Sequence, residues 1–474
     1  MSPPEYMPAH LLLEAFRTKD LSPVDVLKAQ IARIEDGGKR INAFTHSHFD
    51  SALEAAKESE ARYRRGEARS LEGITVAIKD EYGKKGWVVT SGSRLLETNV
   101  SDKNHPVVDK LLEAGAILHV QTTAPEFFLV AVTWSDLWGV TRNPWNPECT
   151  PGGSSGGSAA ALAAGMTTLA IGSDMGGSIR IPCALNGIYG SKPAYGRIAS
   201  PDPSALVPHA SPGPLARNAL DLLLLQNVMS GPAPGCPAVL RPKLQLPLTP
   251  SHAIEARLAL SLDQGWAVVE PAVRAKTLAA ISSLRDSGIQ VDEIELPLET
   301  SDDRMREAIE KALFSTAIGA DLVDLQPKAD QMTTYGRRFV ALACEMGPTD
   351  ARDAAEEALR LYRLIDKCVF QKGYHALITP TVASTRIPAD FDPTDDTVVI
   401  KGETVDPYAG WFLTSLFSLL NWMPVVSVPT GLSDNNVPTG MQIACRPYDD
   451  GMAAALALRY AESAKPMRFE RIRV

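Results

Sequence analysis

Two Gly- and Ser-rich stretches constrain this chain more than any other feature: Thr150-Pro-Gly-Gly-Ser154-Ser-Gly-Gly-Ser158 and Gly172-Ser-Asp-Met-Gly-Gly-Ser178-Ile-Arg180. The run between them, 159–166, is dominated by Ala and Leu and favours a helix, and 167–171 reads as a strand returning to the same layer. Loop, helix, strand and loop in that order bring both turns to one end of a sheet. Glycine is needed where a backbone must turn sharply or aim N–H groups at one point, because a Cβ forbids those angles. Gly176-Gly177-Ser178 therefore suits an oxyanion hole, a set of donors for a carbonyl oxygen gaining charge. Gly/Ser runs are more often linkers, but Asp174 and Arg180, with ordered pattern on either side, argue against a linker here.

The remainder alternates helix and strand. Ser22-Pro23-Val24-Asp25 joins a capping Ser to Pro at the first helical position, with Val24, Leu27, Ile31 and Ile34 following at helical spacing. A second helix is expected over 50–65. Gly73-Ile-Thr-Val-Ala-Ile-Lys79-Asp80 is a short β-rich run ending on charge, which puts Lys79 at a strand end. Helix 106–115, closed by Gly115, leads into strand 116–120. Helix 271–285 with strand 290–296, strands at 376–379, 425–428 and 441–444, and helix 451–464 continue the alternation. The expected fold class is α/β, a layered sheet with helices on both faces. The Pro-rich stretch 200–247, with one periodic segment at 219–229, reads as an excursion around a single core.

A formal charge of -9 argues against a phosphate-tracking surface, so no nucleic-acid partner is expected. Arg62, Arg64 and Arg65 lie among Glu58, Glu60 and Glu67 and read as a solvated helix face. Six cysteines without a CxxC pair suggest neither a disulfide framework nor a zinc site, which fits a reducing cytoplasm. His46-Ser-His48 lacks a nearby third ligand and reads as surface, and Cys149 as packing. The N-terminus has no basic region before an apolar stretch, and 411–429 is broken by Thr414, Ser415, Ser418, Asn421 and Pro424, so neither a secretory signal nor a membrane span is expected.

A bare hydroxyl is a poor nucleophile at neutral pH and needs a neighbouring base. The eight histidines, at 10, 46, 48, 105, 119, 209, 252 and 375, adjoin neither loop. GGSSG also satisfies the G-x-S-x-G elbow at Ser154 or Ser155, with Asp and His downstream, so an α/β-hydrolase-type Ser-His-Asp esterase stays open on the residues alone.

GITVAIKD around Lys79, then PGGSSGGS, then GSDMGGSIRIP followed by GIYGSKPAYGRI, resemble the signature of the amidase signature family. GVTRNPWNP, GPLARNALDL, ALITPT, PVVSVPTG and PTGMQIAC extend the resemblance over essentially all 474 residues. It implies a single amidase domain over 1–474 with a mixed, twisted central sheet: an N-terminal helical region (1–70), a signature core (71–200), a variable substrate-shaping region (201–350) and the rest of the sheet with a C-terminal helix (351–474). The implied activity is hydrolysis of the C–N bond of a small amide or carbamate, with esterase side activity, through an acyl-enzyme. Ser178 would be the nucleophile, Ser154 a bridging serine preceded by a cis bond from Gly153, and Lys79 the base. The N–H groups of Met175, Gly176, Gly177 and Ser178 would form the oxyanion hole. Phe128, Gly153 and Met175 would bind substrate, with Phe127 and Trp134 beside them. Neither a metal nor an organic cofactor is required.

An ordinary lysine holds its proton to a pH of about 10.4, so Lys79 serves as a base near neutrality only if burial lowers that value. Activity is therefore expected to rise with pH above neutrality. Met175 stands where the family often has threonine, isoleucine or a bulkier residue, which alters the pocket wall and leaves its N–H in place. The middle, 299–350, and the loops near Trp411 carry no readable motif, so they leave the substrate open. A monomer or homodimer acting alone is expected. The other reading is a glutamine-hydrolysing amidotransferase A-type subunit, which resembles the same family and needs a partner protein.

Overall fold

In the computed structural model, residues 3–201, 206, 210–249 and 255–472 are described. In chain order the strands are β1 (Phe44–Ser47), β2 (Thr75–Lys79), β3 (Ile117–Thr122), the hairpin β4 (Trp134–Ser135) with β5 (Gly139–Val140), β6 (Leu169–Asp174), β7 (Tyr189–Lys192) and β8 (Ser211–Ala216). They continue with β9 (Arg257–Leu260), β10 (Gln290–Glu293), β11 (Ala376–Pro380), the hairpin β12 (Val398–Ile400) with β13 (Glu403–Val405), β14 (Val425–Leu432) and β15 (Pro438–Cys445). Among the described residues, eleven of them form one mixed sheet in the order β1-β3-β2-β6-β8-β7-β14-β15-β11-β9-β10. β2 runs parallel to both β3 and β6, so the ends of β2 and β6 emerge side by side.

Side chains alternate across each strand and sort the core into two layers. Val76, Ile78, Leu169 and Ile171 pack with helix residues such as Val107, Leu222, Ile281 and Leu456, whereas Ala77 and Ala170 pack with Ala159, Leu162 and Cys183 on the other side. Helices Pro106–Glu113, Ala219–Met229, Pro271–Asp286 and Asp450–Ser463 thus cover one face, and Gly156–Ala163 with Arg180–Asn186 the other. The expected α/β fold with helices on both faces is the observed one. No described helix is long and apolar enough to cross a membrane.

The sequence-derived elements recur with shifted ends. Helix Pro23–Ile41 starts on Ser22, whose side chain accepts from Val24 N, and residues 50–65 lie in helix Phe49–Arg65. Strand 167–171 becomes β6, carried on to Asp174 by antiparallel pairing with β8 from Ala170↔Leu215 to Asp174↔Ser211. β8 itself falls in the stretch read as a Pro-rich excursion. Its prolines, Pro212 and Pro214, are tolerated because β7 pairs with β8 only at Leu215 and Ala216, leaving an open flank where a missing N–H matters little.

One buried ion pair fixes the turn that follows β6. The Arg180 guanidinium meets Asp174 at both oxygens (Nη2–Oδ1 and Nε–Oδ2, each 2.9 Å), and both side chains are fully buried. The same carboxylate accepts from the N–H groups of Gly177 (2.9 Å), Ile179 (3.2 Å) and Arg180 (3.2 Å). Arg180 donates further to Thr414 O (3.0 Å), Gln442 Oε1 (3.1 Å) and Ser418 Oγ (2.9 Å), tying the turn to β15 and to helix Ser415–Leu419. Burial pushes the Asp174 carboxyl up, but the Arg180 charge and these hydrogen bonds outweigh it and hold the group below the ordinary carboxylate range. Its stabilising effect is therefore complete above an unfolded value of about 3.9 and fades as pH falls below it. Arg180→Met strands that carboxylate, and the variant is expected to lose about 3–5 kcal/mol of stability. Urea unfolding at neutral pH checks this, and a midpoint equal to wild type would show that the pair does not hold the turn.

Candidate active site

Lys79 closes β2, and Ser173 and Asp174 close the adjacent β6. The turn after β6 delivers Ser178 just ahead of helix Arg180–Asn186, and the first Gly/Ser loop delivers Ser154 just ahead of helix Gly156–Ala163. These side chains therefore meet where two parallel strands end and two helices begin, the place where α/β folds bind their ligands.

Lys79 Nζ lies 2.7 Å from Ser154 Oγ, 2.8 Å from Ser173 Oγ and 3.1 Å from Glu81 Oε2, and Lys79 and Ser154 are fully buried. Ser173 Oγ donates to Glu81 Oε2 at 2.5 Å. The Phe128 ring lies over Lys79 Nζ at 4.4 Å. Burial lowers the lysine below its ordinary value, and the Glu81 charge pulls it part of the way back. The Gly153–Ser154 peptide bond is cis. A Cβ on Gly153 would come within 2.3 Å of Val132 O, which explains why glycine stands there.

Ser178 is partly exposed on the wall of an open cavity. Among the described residues its hydroxyl has no hydrogen bond to Ser154. Gly177 adopts φ +125°, and a Cβ there would lie 2.2 Å from Thr414 Oγ1, a hydroxyl that donates to Gly176 O at 2.7 Å. The N–H groups of Met175, Gly176 and Ser178 have no acceptor among the described residues. Gly177 corrects the sequence reading of a four-donor oxyanion hole: its N–H already donates to Asp174 Oδ1, so it belongs to the scaffold of the turn.

Phe127, Phe128, Gly153 and Met175 all line the cavity. Trp134 does not, which corrects the expectation placed on it; its indole packs edge-on against Tyr335 (4.9 Å) and donates to Phe391 O (2.8 Å). The stretches without a motif supply the far wall: Arg306, Leu313, Phe314 and Phe339 from the middle region, Tyr408 and Trp411 from the later loop. Arg306 and Glu310 are the charged lining residues, and they pair with each other at 2.6 Å.

No described histidine bonds to Ser154, Ser155 or Ser178, so the Ser-His-Asp alternative finds no support among the described residues; His209 and His252 lie outside them. His48 stacks on Trp87 at 3.5 Å and Cys149 is buried. Sequence reasoning overlooked Glu81 and Ser173. The available signal was their place, two residues beyond Lys79 and one before Asp174, where parallel strand ends bring neighbours together.

A model of the Amidase family matches residues 25–453. The A-type subunit of glutamyl-tRNA(Gln) amidotransferase from Syntrophus aciditrophicus (strain SB) is 30% identical over 492 residues, covering 96% of either chain. Its counterpart from Chloroflexus aggregans (strain MD-66 / DSM 9485) is 32% identical over 468 residues, covering 93% of this chain and 92% of that one. Among solved structures, a bacterial aryl acylamidase of the amidase signature enzymes superposes with a TM-score of 0.88 at 26% identity, over 98% of this chain and 97% of that chain. The peptide amidase of Stenotrophomonas maltophilia shares the fold, with a TM-score of 0.81 at 22% identity over 99% of this chain and 100% of that chain. With nearly its whole length matched in sequence and in fold, the chain belongs to the amidase signature family.

Proposed function

We propose that this chain is an amidase that hydrolyses the C–N bond of a neutral, largely apolar amide or carbamate through an acyl-enzyme on Ser178. The observation that carries the reading is a buried lysine 2.7 Å from Ser154, beside a turn that presents Ser178 and unengaged N–H groups to one apolar cavity.

In the proposed mechanism Ser178 Oγ attacks the substrate carbonyl and its proton passes to Ser154 and on to neutral Lys79. Substrate binding closes the Ser178-to-Ser154 link, since catalytic hydrogen bonds tighten in the reactive complex. The N–H groups of Met175, Gly176 and Ser178 receive the negative charge that gathers on oxygen. The proton then returns through Ser154 to the leaving nitrogen, the C–N bond breaks, and the amine departs. Water attacks the acyl-enzyme by the same relay, releasing the acid and restoring Ser178. Each step uses side chains and backbone donors of this chain alone.

The cavity wall supports the substrate class. Among the described residues it is built mainly from aromatic and aliphatic side chains, and the cation there, Arg306, is held by Glu310 and, at 2.8 Å, by Asp406. A paired guanidinium leaves a carboxylate-bearing substrate such as glutamine without a counter-charge at the described wall. Aryl or alkyl groups fit a wall of this composition better. The amidotransferase reading keeps one specific support, the identity of about a third to those relatives over nearly the full length.

Purified protein incubated with p-nitroanilide, carbamate and ester panels, and with glutamine, tests both readings. Wild type is expected to release nitroaniline or amine unaided and leave glutamine intact, whereas Ser178→Ala and Lys79→Ala fall by at least about a thousandfold. Glutamine hydrolysis in preference to the panel would favour the amidotransferase reading, and a Ser178→Ala variant as active as wild type would remove Ser178 as nucleophile. A second expectation concerns pH. The base works only when neutral and burial lowers its affinity for the proton, so kcat/KM is expected to climb with pH above neutrality and level off below about 10.4. A profile flat from pH 6 to 10, or falling across it, would exclude Lys79 as the base.

A further inference from the structure

A lysine ammonium has three protons to donate and no lone pair, whereas the neutral amine has two protons and one lone pair. Lys79 Nζ has three oxygen neighbours: Ser154 Oγ at 2.7 Å, Ser173 Oγ at 2.8 Å and Glu81 Oε2 at 3.1 Å. The two hydroxyls accept hydrogen bonds and the carboxylate adds an ion pair, which compensates an ammonium. To accept a proton from Ser154, the amine must turn its lone pair toward that hydroxyl, and its two remaining N–H bonds then fall to Ser173 and Glu81. Ser173 and Glu81 are themselves joined at 2.5 Å, so the two acceptors are held together as one unit.

We propose that Glu81 is a positioning residue of this site: with Ser173 it takes the two N–H bonds of neutral Lys79, aims the lone pair at Ser154, and by its charge sets the pH above which Lys79 can act. This rests on the reading of Lys79 as the base. Glu81 does not line the substrate cavity. Its carboxylate, about a quarter exposed, opens with Ser173 onto a second cavity behind Phe127, Phe128 and Met175. The two phenylalanines of that wall are consecutive left-handed residues, at φ 48° and 64°. Lys79 can thus exchange its proton with solvent through Ser173 and Glu81 while substrate fills the other cavity.

The groups around Lys79 leave Glu81 as the controlling charge. Asp174, from β6, is the next anion and is already paired with Arg180. Asp80 is turned toward Thr90, whose N–H donates to it at 3.1 Å. The Ser154 loop contributes a hydroxyl, and Phe128 a ring face. Across the second cavity stand His105, which burial keeps neutral above about pH 3, and Asp321.

Two substitutions separate charge from geometry. Glu81→Gln keeps an acceptor oxygen and removes the charge; Glu81→Ala removes both. The pH profiles of kcat and KM on a substrate turned over by wild type, and the pH dependence of Ser178 labelling by a fluorophosphonate, are read for each. For Glu81→Gln the rise is expected about one unit or more lower in pH. For Glu81→Ala a plateau kcat about tenfold to a hundredfold lower is expected, with KM little changed. Profiles of both variants that superimpose on wild type would overturn the proposal. So would a uniform fall at every pH with a lowered melting temperature, the mark of a purely structural role. Labelling that persists in Ser178→Ala would instead show the underlying reading to be wrong, independently of Glu81.

Discussion

The Asp174–Arg180 pair is the constraint on which the rest of the site depends. A glycine-rich turn has many conformations available, and ordering it opposes folding by roughly 1–2 kcal/mol per residue in backbone entropy. Here one carboxylate gathers three N–H groups of the turn, while the guanidinium bound to it reaches a carbonyl, an amide and a hydroxyl from segments far along the chain. The N–H groups that Asp174 does not take are those of Met175, Gly176 and Ser178. The pair therefore sorts the donors of the turn, assigning some to structure and leaving others to the cavity.

A second consequence follows for Lys79. A buried ammonium is unfavourable unless compensated, and a buried amine is a base only if it is not overcompensated. Asp174 lies close enough to act on Lys79, and it is itself paired with Arg180. The lysine is left with two hydroxyls, an aromatic face and a single, partly exposed carboxylate. Removing Arg180 would thus disturb more than the fold, because an unpaired Asp174 would favour the protonated form of Lys79.

The α/β class and the position of Lys79 were legible because alternating β-branched runs, a capping Ser-Pro pair and Gly-closed helices are local signals. The meeting of the two Gly/Ser loops was legible from their order around one helix and one strand. β8 was not, since Pro212 and Pro214 argue against a strand until β7 is known to stop short of them. Gly177 was misassigned for a related reason: φ +125° marks it as special, but only the through-space bond to Asp174 shows what the special conformation serves. Trp134 was placed beside the pocket by the family resemblance, and its indole N–H found a carbonyl elsewhere. Glu81 and Ser173 were invisible because their role arises from the register of two parallel strands.

Chemistry and selectivity come from different parts of the molecule. The cradle around Lys79 is built from strand ends and short turns between residues 79 and 180, held by sheet pairing, by Asp174 and, at the Ser154 loop, by Thr133, Asn143 and Asn186. The far wall of the cavity is built from 306–339 and 391–412, segments that contribute none of Lys79, Ser154 and Ser178. A wall of this kind can change its side chains without moving a single strand end. The same cradle then serves enzymes with different substrates, which is why fold and motifs identify the family and stop short of the leaving group. In this chain the wall's guanidinium, Arg306, is engaged by Glu310 and Asp406, and under the proposed reading that leaves recognition to shape and apolar contact.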